Sequence, residues 1–284
     1  MKIFILLFAL LFLHARIFSQ LEKKSLLWEV KTKEGKTCSY LFGTIHAIDE
    51  TKFYFPKKLE KIASKCDAIC LEIAGISSNP PSIEKLMMTD KSLQDLFTKS
   101  QMDSIHYWAE RFLLMKPNQF DENFGQAKPF LLLQFILKTS LPEDIKSYEL
   151  VLEETAKKNN QELLGFETVD FQLSLFDQMT LDEQVRMVME SLRDEKNAKN
   201  KFEEMQQVYL EQDLDQLYKM TKDESTTLNR SFLEDRNIDW IPKIEEITKN
   251  KIVFIAVGAA HLAGPEGVIE LLINKGFQVL PVKI

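Results

Sequence analysis

The amino-acid sequence predicts an α/β fold of the mixed α+β type, with a central mixed β-sheet covered by helices. Short apolar runs with strand character lie near both ends of the chain, and a long helical segment separates them. With 45% hydrophobic and 28% charged residues among 284, the chain has the composition of an ordinary globular protein. These observations favour one domain, residues 20–284, with a large helical middle segment inserted at about 83–248.

The first part of this domain is predicted to form three strands and a helix. Residues 26–31 alternate loosely between apolar and polar side chains, residues 38–42 form a second run, and Gly35-Lys36 marks a turn between them. We therefore expect a hairpin. A helix is predicted over 56–64, with proline in its first turn, and the apolar run 68–73 is typical of a strand buried on both faces.

The remaining elements follow the same logic. Prolines punctuate the helical segment, a short buried strand is predicted at 162–166, and helix stops are expected near Asn197 and Pro242. Residues 252–257 form the clearest strand signal in the chain. A helix over 265–274, a stop at Gly276 and a last strand over 277–282 complete the prediction.

The N-terminus has the pattern of a secretory signal. Lys2 precedes an eleven-residue apolar run, residues 3–13, and a small residue, Ser19, follows at a suitable cleavage position. The run is too short to span a bilayer comfortably. We expect residues 1–19 to be removed from an exported protein, periplasmic or extracellular, with no stable membrane insertion after cleavage.

Charge and cysteine content narrow the classes of function. A net charge of −7 with dispersed basic residues argues against nucleic acid as a partner. Of the three cysteines, Cys38, Cys66 and Cys70, one pair could be oxidised in an exported protein. The apolar surroundings of Cys38 and Cys70 favour small core residues instead.

One local pattern occurs twice and suggests a site. Gly43-Thr44-Ile45-His46 and Gly258-Ala259-Ala260-His261 each follow an apolar strand. Glycine permits a sharp turn at the end of a strand, and the histidine is then held at the edge where α/β sheets bind ligands. A histidine after a strand is by itself more often a loop residue, but two copies among four histidines favour a shared metal site. His106, in a polar helical stretch, is predicted to be solvated.

Carboxylates with suitable positions complete the candidate site. Glu72 lies inside a predicted buried strand, where an unpaired charge is costly, and Glu167 directly follows another. Glu149 falls on the apolar stripe of a helix. Taken singly, each of the three is more often a structural ion pair or a cap. Together with His46 and His261 they supply the ligand and base types of a hydrolytic metal site. Signatures of serine hydrolases, zincins, phosphate loops and dinucleotide binding are absent from the sequence.

In five short motifs the chain resembles the TraB/GumN family, which also contains the Tiki metalloproteases. The motifs are Tyr40-Leu41-Phe42-Gly43-Thr44-Ile45-His46; Leu71-Glu72; Leu164-Gly165-Phe166-Glu167-Thr168; Asp235-Arg236-Asn237 with Trp240; and Val257-Gly258-Ala259-Ala260-His261-Leu262. The resemblance implies a fold of paired β-α modules and a site built from the two Gly-x-x-His motifs and acidic residues. By position it implies His46, His261, Glu72 and Glu167 as site residues, and Arg236 and Asn237 as a polar pair near the pocket. The family often has aspartate where Glu149 aligns.

From the residues and the resemblance we predict a metal-dependent hydrolase, metalloprotease-like, acting on a peptide or small-molecule substrate. His46, His261, Glu72 and Glu149 are predicted to bind a divalent ion, with Mn, Co or Zn left open. Glu72 or Glu167 is expected to act as general base and Arg236, beside Asn237, to stabilise an oxyanion. Two alternatives remain: a non-catalytic protein that binds peptides or small molecules in the same crevice, and a metal-independent esterase in which a histidine is the base.

Overall fold

The central sheet combines strands from the beginning, the middle and the end of the chain. The computed structural model describes residues 24–32, 38–75, 81–224 and 230–284, without the side chains of residues 195, 196, 223 and 224. The predicted export signal and the predicted Gly35-Lys36 turn lie outside the described residues.

Six of the eight strands in the described residues agree closely with those expected from the apolar runs. The eight strands are β1 (Leu27–Lys31), β2 (Cys38–Thr44), β3 (Ile48–Asp49), β4 (Ala68–Ile73), β5 (Ile145–Lys146), β6 (Glu162–Glu167), β7 (Val253–Gly258) and β8 (Gln278–Pro281). β3 and β5 are not among the predicted strands. In the described part of the chain, six of them form one sheet in the order β6-β4-β7-β2-β1-β8. The predicted α/β class with a mixed central sheet is confirmed.

Strand direction explains why one edge of the sheet gathers polar residues. β2, β7, β4 and β6 run parallel, whereas β1 pairs antiparallel with both β2 and β8. The predicted β1–β2 hairpin pairing is therefore confirmed. β4 and β7 are almost completely buried, as expected for parallel strands covered on both faces. Since the four parallel strands end at the same edge, residues at their carboxyl ends become neighbours.

Helices occupy most of the chain between β4 and β7, and in the described residues one further α-helix precedes β4 and another follows β7. In chain order they are α1 (Lys57–Ala63), α2 (Ile83–Leu86), α3 (Leu93–Leu96), α4 (Lys99–Phe112), α5 (Pro117–Phe124), α6 (Pro129–Thr139), α7 (Tyr148–Lys158), α8 (Val169–Phe176), α9 (Leu181–Arg193), α10 (Glu195–Leu210), α11 (Leu214–Glu224), α12 (Glu234–Thr248) and α13 (Val268–Asn274). Within the described residues, no helix combines the length and the apolarity that crossing a membrane requires.

The described residues form two separate hydrophobic cores. The first surrounds the sheet and includes Phe42, Ile69, Trp240 and Phe254. The second lies among α3, α4, α5, α6 and α9, and all its fully buried members come from residues 88–189. The helical middle segment thus has an apolar core of its own.

A short two-stranded ribbon connects distant parts of the chain. β3, which begins two residues after His46, pairs antiparallel with β5, so that Ile48 faces Lys146 and Asp49 faces Ile145. α7 begins directly after this ribbon. The pairing therefore brings the loop that carries His46 to the N-terminus of the helix that carries Glu149.

The helix stop predicted near Asn197 falls three residues earlier, at Asp194, and the stop predicted near Pro242 is wrong. Asn197 lies inside α10, where its amide donates to Asp194 Oδ2 at 2.6 Å, and the break falls at Asp194 itself, between α9 and α10. Pro242 lies inside α12. Its ring is exposed, whereas the neighbouring Trp240 and Ile241 are buried. Packing of that buried face outweighs the roughly 3 kcal/mol that an internal proline costs.

The expectation that His106 is merely solvated is also wrong. Only 17% of its side chain is exposed, and its Nε2 lies 2.8 Å from Asp121 Oδ1. The ring packs edge-on against Phe120 in the second core. His106 is therefore a structural residue of α4, bonded to Asp121 and packed against Phe120. It is far along the chain from either Gly-x-x-His motif.

The cysteines form no disulfide in the described residues. Cys66 and Cys70 are buried, and burial raises the pKa of each thiol to about 12. Both therefore behave as small core residues. Cys38 is half-buried and its thiol donates to Glu29 Oε1 at 2.9 Å.

Candidate functional site

The carboxyl edge of the four parallel strands gathers the residues that the two motifs and the carboxylates indicated. Glu72 is the penultimate residue of β4, and Glu167 is the last residue of β6. His46 follows β2 after one intervening residue, and His261 ends a 3₁₀ helix, Ala259–His261, directly after β7. The parallel pairing of these strands accounts for their proximity.

A buried arginine from α12 joins three of these residues. The Arg236 side chain is only 9% exposed, and its Nη2 donates to Glu72 Oε2 at 2.5 Å and to Glu167 Oε2 at 2.8 Å. Its Nε donates to Glu167 Oε1 at 2.9 Å. Nη1 donates to the Phe232 carbonyl at 3.0 Å and lies 3.2 Å from His261 Nε2. The guanidinium group thus has a partner on each nitrogen, as burial of a permanent charge requires.

Two further donors complete the environment of the paired carboxylates. The amide of Gln172 donates to Glu72 Oε2 at 3.1 Å and to Glu167 Oε2 at 3.0 Å. The indole of Trp240 donates to Glu167 Oε1 at 2.8 Å. Both oxygens of Glu167 are therefore saturated by Arg236, Gln172 and Trp240, whereas Glu72 keeps Oε1 directed toward the histidines.

Glu72 remains ionised in spite of its burial. Burial by itself raises the pKa of the Glu72 carboxyl, but His261, His46 and Arg236, together with the backbone N–H of Gly258, lower the pKa to about 2. Since His261 is neutral near pH 7, the permanent charge of Arg236 is the partner that holds Glu72 ionised there. The result is a carboxylate that is charged at every physiological pH.

His261 is held as a neutral imidazole. The residue is 4% exposed, and burial lowers the pKa of His261 to about 3. Asn237 Oδ1 lies 2.6 Å from Nδ1 and Arg236 Nη1 lies 3.2 Å from Nε2. Because an amide oxygen only accepts and a guanidinium only donates, Nδ1 carries the proton and the lone pair of Nε2 accepts from Arg236. Asn237 itself is fixed by donating from Nδ2 to the Glu266 carbonyl at 2.8 Å.

His46 lies on the solvent-exposed side of the same cluster of residues. Its side chain is 73% exposed, and its Nδ1 lies 3.2 Å from Glu149 Oε1. Glu149 also accepts from the Thr44 hydroxyl at 2.6 Å and from the Ser147 hydroxyl at 2.7 Å. The hydrogen bond with Glu149 raises the pKa of His46 above 6.5. Water reaches most of the ring and screens the charges that lie farther from it.

The two motif histidines share one arrangement. In each, Nδ1 is engaged by a side-chain oxygen, from Glu149 at His46 and from Asn237 at His261. Glu72 Oε1 accepts from the Gly258 N–H at 2.7 Å and lies 3.8 Å from His261 Nε2. An orienting oxygen behind an imidazole is the usual outer partner of a metal-binding histidine.

These residues fit a divalent ion by chemistry and, in part, by spacing. Two imidazole nitrogens and a carboxylate oxygen suit Mn, Co or Zn. The 3.8 Å between Glu72 Oε1 and His261 Nε2 suits two ligands whose bonds to one ion are each about 2.0–2.2 Å. Among the described residues, however, no three or more His, Cys, Asp or Glu side chains are arranged to hold an ion as they stand. Binding requires Arg236 Nη1 to release the His261 Nε2 lone pair.

Glu149 and Asn237, the two remaining candidates, each contact one of the motif histidines. Both carboxylate oxygens of Glu149 are hydrogen-bonded, Oε1 to Thr44 and His46 and Oε2 to Ser147. Sequence reasoning missed Gln172, which donates to Glu72 and Glu167. Gln172 carried no motif. Its position in the first turns of α8, the helix that immediately follows β6 and Glu167, is the signal that could have identified it.

Acidification is expected to destabilise the protein through His261. Its pKa is about 3 in the folded protein, whereas an imidazole in an unfolded chain titrates near 6.5. Between these values the unfolded state binds a proton that the folded state excludes. The free energy of unfolding should therefore fall as the pH decreases from 7, by about 2 kcal/mol at pH 5.

Urea unfolding at pH 7, 6 and 5 in the presence of a chelator measures this loss. His261→Asn, which keeps a donor toward Asn237 but does not titrate, should show a clearly smaller decrease than the wild type. Equal decreases in the two proteins would rule out His261 as the titrating group.

Comparison with known proteins agrees with the motifs. A model of the TraB/PrgY/gumN family matches residues 26–281, nearly the whole chain. No curated protein and no solved structure matches the chain.

Proposed function

The chain belongs to the TraB/PrgY/gumN family, and on that premise we propose that it is an exported, metal-dependent hydrolase that cleaves peptide bonds. One observation supports the hydrolytic site most strongly. Two histidines from separate Gly-x-x-His motifs each have Nδ1 engaged by a side-chain oxygen, and a charged carboxylate, Glu72, lies beside them. The choice of a peptide substrate rests on the resemblance to the Tiki proteases.

In this proposal each residue has a distinct task. His46 and His261 would hold the ion, with Glu72 Oε1 directed toward the water bound to it. An ion so held would lower the pKa of that water and polarise the scissile carbonyl. Asn237 keeps the His261 proton on Nδ1, which leaves the lone pair on Nε2 for the ion once Arg236 Nη1 has released it. Glu149 does the same for His46, a positioning role for which its three hydrogen bonds argue more strongly than for direct ligation.

The carboxylates differ in their capacity to accept a proton. Glu167 is 4% exposed and its oxygens already accept from Arg236, Gln172 and Trp240. Glu72 Oε1 has one donor, the Gly258 N–H, and faces the histidines. We therefore assign the general base to Glu72. Arg236 neutralises the two carboxylates, Glu72 and Glu167. To stabilise an oxyanion, its guanidinium group would have to give up one of its present hydrogen bonds.

Divalent ions are expected to stabilise the wild-type protein and to depend on His46 for doing so. A ligand that binds only the folded state raises the melting temperature by mass action, by about 2.7 kcal/mol in stability at a concentration of 100 Kd. We would purify the protein without a histidine tag, quantify bound metal by mass spectrometry and record melting with Mn²⁺, Co²⁺ and Zn²⁺.

His46→Ala should abolish the increase in melting temperature. The matched control is His106→Ala, which removes a histidine bound to Asp121 outside the site and should leave the ion-dependent increase intact. If no ion stabilises the wild type, or if His46→Ala responds like the wild type, the metal site is refuted.

One observation favours a second candidate function. Arg236 Nη1 already occupies the lone pair of His261, and His46 forms a carboxylate–imidazole pair with Glu149 on the solvent-exposed side of the cluster. That arrangement is compatible with a metal-independent esterase in which His46 is the base, and turnover insensitive to chelators would favour it. Binding of a peptide without turnover would favour the other alternative, a non-catalytic binding protein.

Export is part of the proposal and rests on the pattern of residues 1–19. Mass spectrometry of the protein recovered from the periplasm or medium of an expressing cell should give a mature N-terminus at Gln20. Export would be contradicted if the protein were found only in the cytoplasm and still carried residues 1–19.

A further inference from the structure

The glycines of the two Gly-x-x-His motifs are equivalent in sequence but not in structure. A Cβ built on Gly43 would lie 3.0 Å from Leu262 Cδ1 and 3.1 Å from the Ala259 backbone. Glycine at that position is explained by close packing of β2 against the segment after β7. A Cβ built on Gly258 meets no backbone atom within 4 Å outside its chain neighbours; it meets Glu72, His261 and His46.

The backbone does not require glycine at position 258. Its φ of −50° and ψ of 133° lie at the margin of the extended region, and Asp49, which has a side chain, adopts nearly the same values, −52° and 129°. In contrast, Gly75, Gly264 and Gly276 have positive φ values, where a side chain is strained. The sharp turn that the sequence suggests therefore does not explain Gly258, and another reason for the missing side chain is needed.

The atoms around this missing Cβ are the ones that the proposed function uses. The position lies 3.3 Å from Glu72 Oε1, 3.6 Å from His261 Cδ2 and 4.0 Å from His46 Nε2. Glu72 cannot easily withdraw, since Oε1 accepts from the Gly258 N–H and Oε2 from Arg236 and Gln172. A methyl group here would sit against Oε1, between the two motif histidines.

We propose that Gly258 determines whether this site can accept a divalent cation, because its missing Cβ keeps open the space that Glu72, His46 and His261 surround. The inference rests on the proposed function and adds a residue to it. First-row divalent ions bind oxygen and nitrogen at about 2.0–2.2 Å. Oε1 must therefore face an ion without an intervening methyl group. Gly258 therefore controls access of the ion to Glu72, His46 and His261, but it is not itself a ligand.

The test is a titration of Gly258→Ala with Mn²⁺ alone, by isothermal calorimetry, alongside melting of the metal-free protein. We expect the metal-free variant to fold and to melt no more than about 3 °C below the wild type, since Glu72 Oε1, at 3.3 Å from the new Cβ, has to shift by only a fraction of an ångström. The affinity for Mn²⁺ should fall at least tenfold. Binding of the ion, and not activity, is the readout.

Gly276→Ala provides the matched control. Gly276 follows α13 with a φ of +91°, so alanine there should lower the melting temperature through backbone strain. Its affinity for Mn²⁺ should remain within about twofold of the wild type, which separates loss of stability from loss of ion binding.

The outcomes distinguish the inference from the function on which it rests. If the wild type and Gly258→Ala bind Mn²⁺ equally, the inference fails and the metal site stands. If Gly258→Ala does not fold, the steric account fails, because glycine is then needed for the fold. If the wild type binds no Mn²⁺, the proposed metal site fails and the inference with it.

Discussion

Arg236→Met should destabilise the protein by about 3–5 kcal/mol, the cost of removing one partner from a buried ion pair. Arg236 is 9% exposed, and Glu72 and Glu167, which it neutralises, are 7% and 4% exposed. Without the guanidinium, two carboxylates remain in one buried site with only Gln172, Trp240 and the Gly258 N–H as donors. Urea unfolding of the metal-free protein at pH 7 measures the loss.

Arg230→Met is the control for this prediction. Arg230 also pairs with two carboxylates, Glu266 and Asp235, but its side chain is 55% exposed. Surface ion pairs contribute little to stability, so the unfolding midpoint should stay close to that of the wild type. Arg236→Lys should restore only part of the loss, because an ammonium group cannot reproduce the forked contacts. If the two methionine variants unfold alike, the carboxylates are not held by Arg236.

Glu72→Gln should reduce turnover by a factor of about 10²–10⁴, the contribution of a positioned general base. The amide can still accept from the Gly258 N–H, so the fold should persist, but it has no charge for an ion and no proton affinity for catalysis. Hydrolysis of a peptide library with added Mn²⁺, Co²⁺ or Zn²⁺ provides the assay.

Two further variants make the Glu72 result specific. Glu162→Gln changes an exposed residue of β6 that pairs with Lys251, and should retain full turnover. Glu167→Gln should lower stability more than turnover, because Glu167 is saturated by buried donors. Turnover that survives in Glu72→Gln but vanishes in Glu167→Gln would reverse the assignment of the base.

The sheet could be predicted from the sequence because its central strands are buried on both faces. The runs at 68–73 and 252–257 have no polar interruption except Glu72, and the structure has β4 and β7 there. The same reasoning placed both histidines at a strand's carboxyl end. Arg236 and Asn237 entered only through the family resemblance, since nothing in the composition of α12 marks two of its polar residues as buried.

Other features could not be predicted because they depend on tertiary contacts. Gln172 is an ordinary helix residue until Glu72 and Glu167 are seen beside it. β3 and β5 have two residues each, too few for any periodicity. The glycines of the two motifs suggested sharp turns, but neither has positive φ in the described chain, and their contacts alone explain them. Pro242 shows the opposite error, a local signal overruled by packing.

The position of β7 in the sheet has a consequence for how the protein folds as it is synthesised. β7 lies between β4 and β2, and the strands that it joins are made long before it. Until residue 258 leaves the ribosome, β1–β2 and β4–β6 can form only separate pairs with open edges, which are prone to aggregate. The core built from residues 88–189 needs none of these strands and can form first. Both motif histidines flank the junction that β7 closes, so the candidate site cannot form until residue 261 has been made.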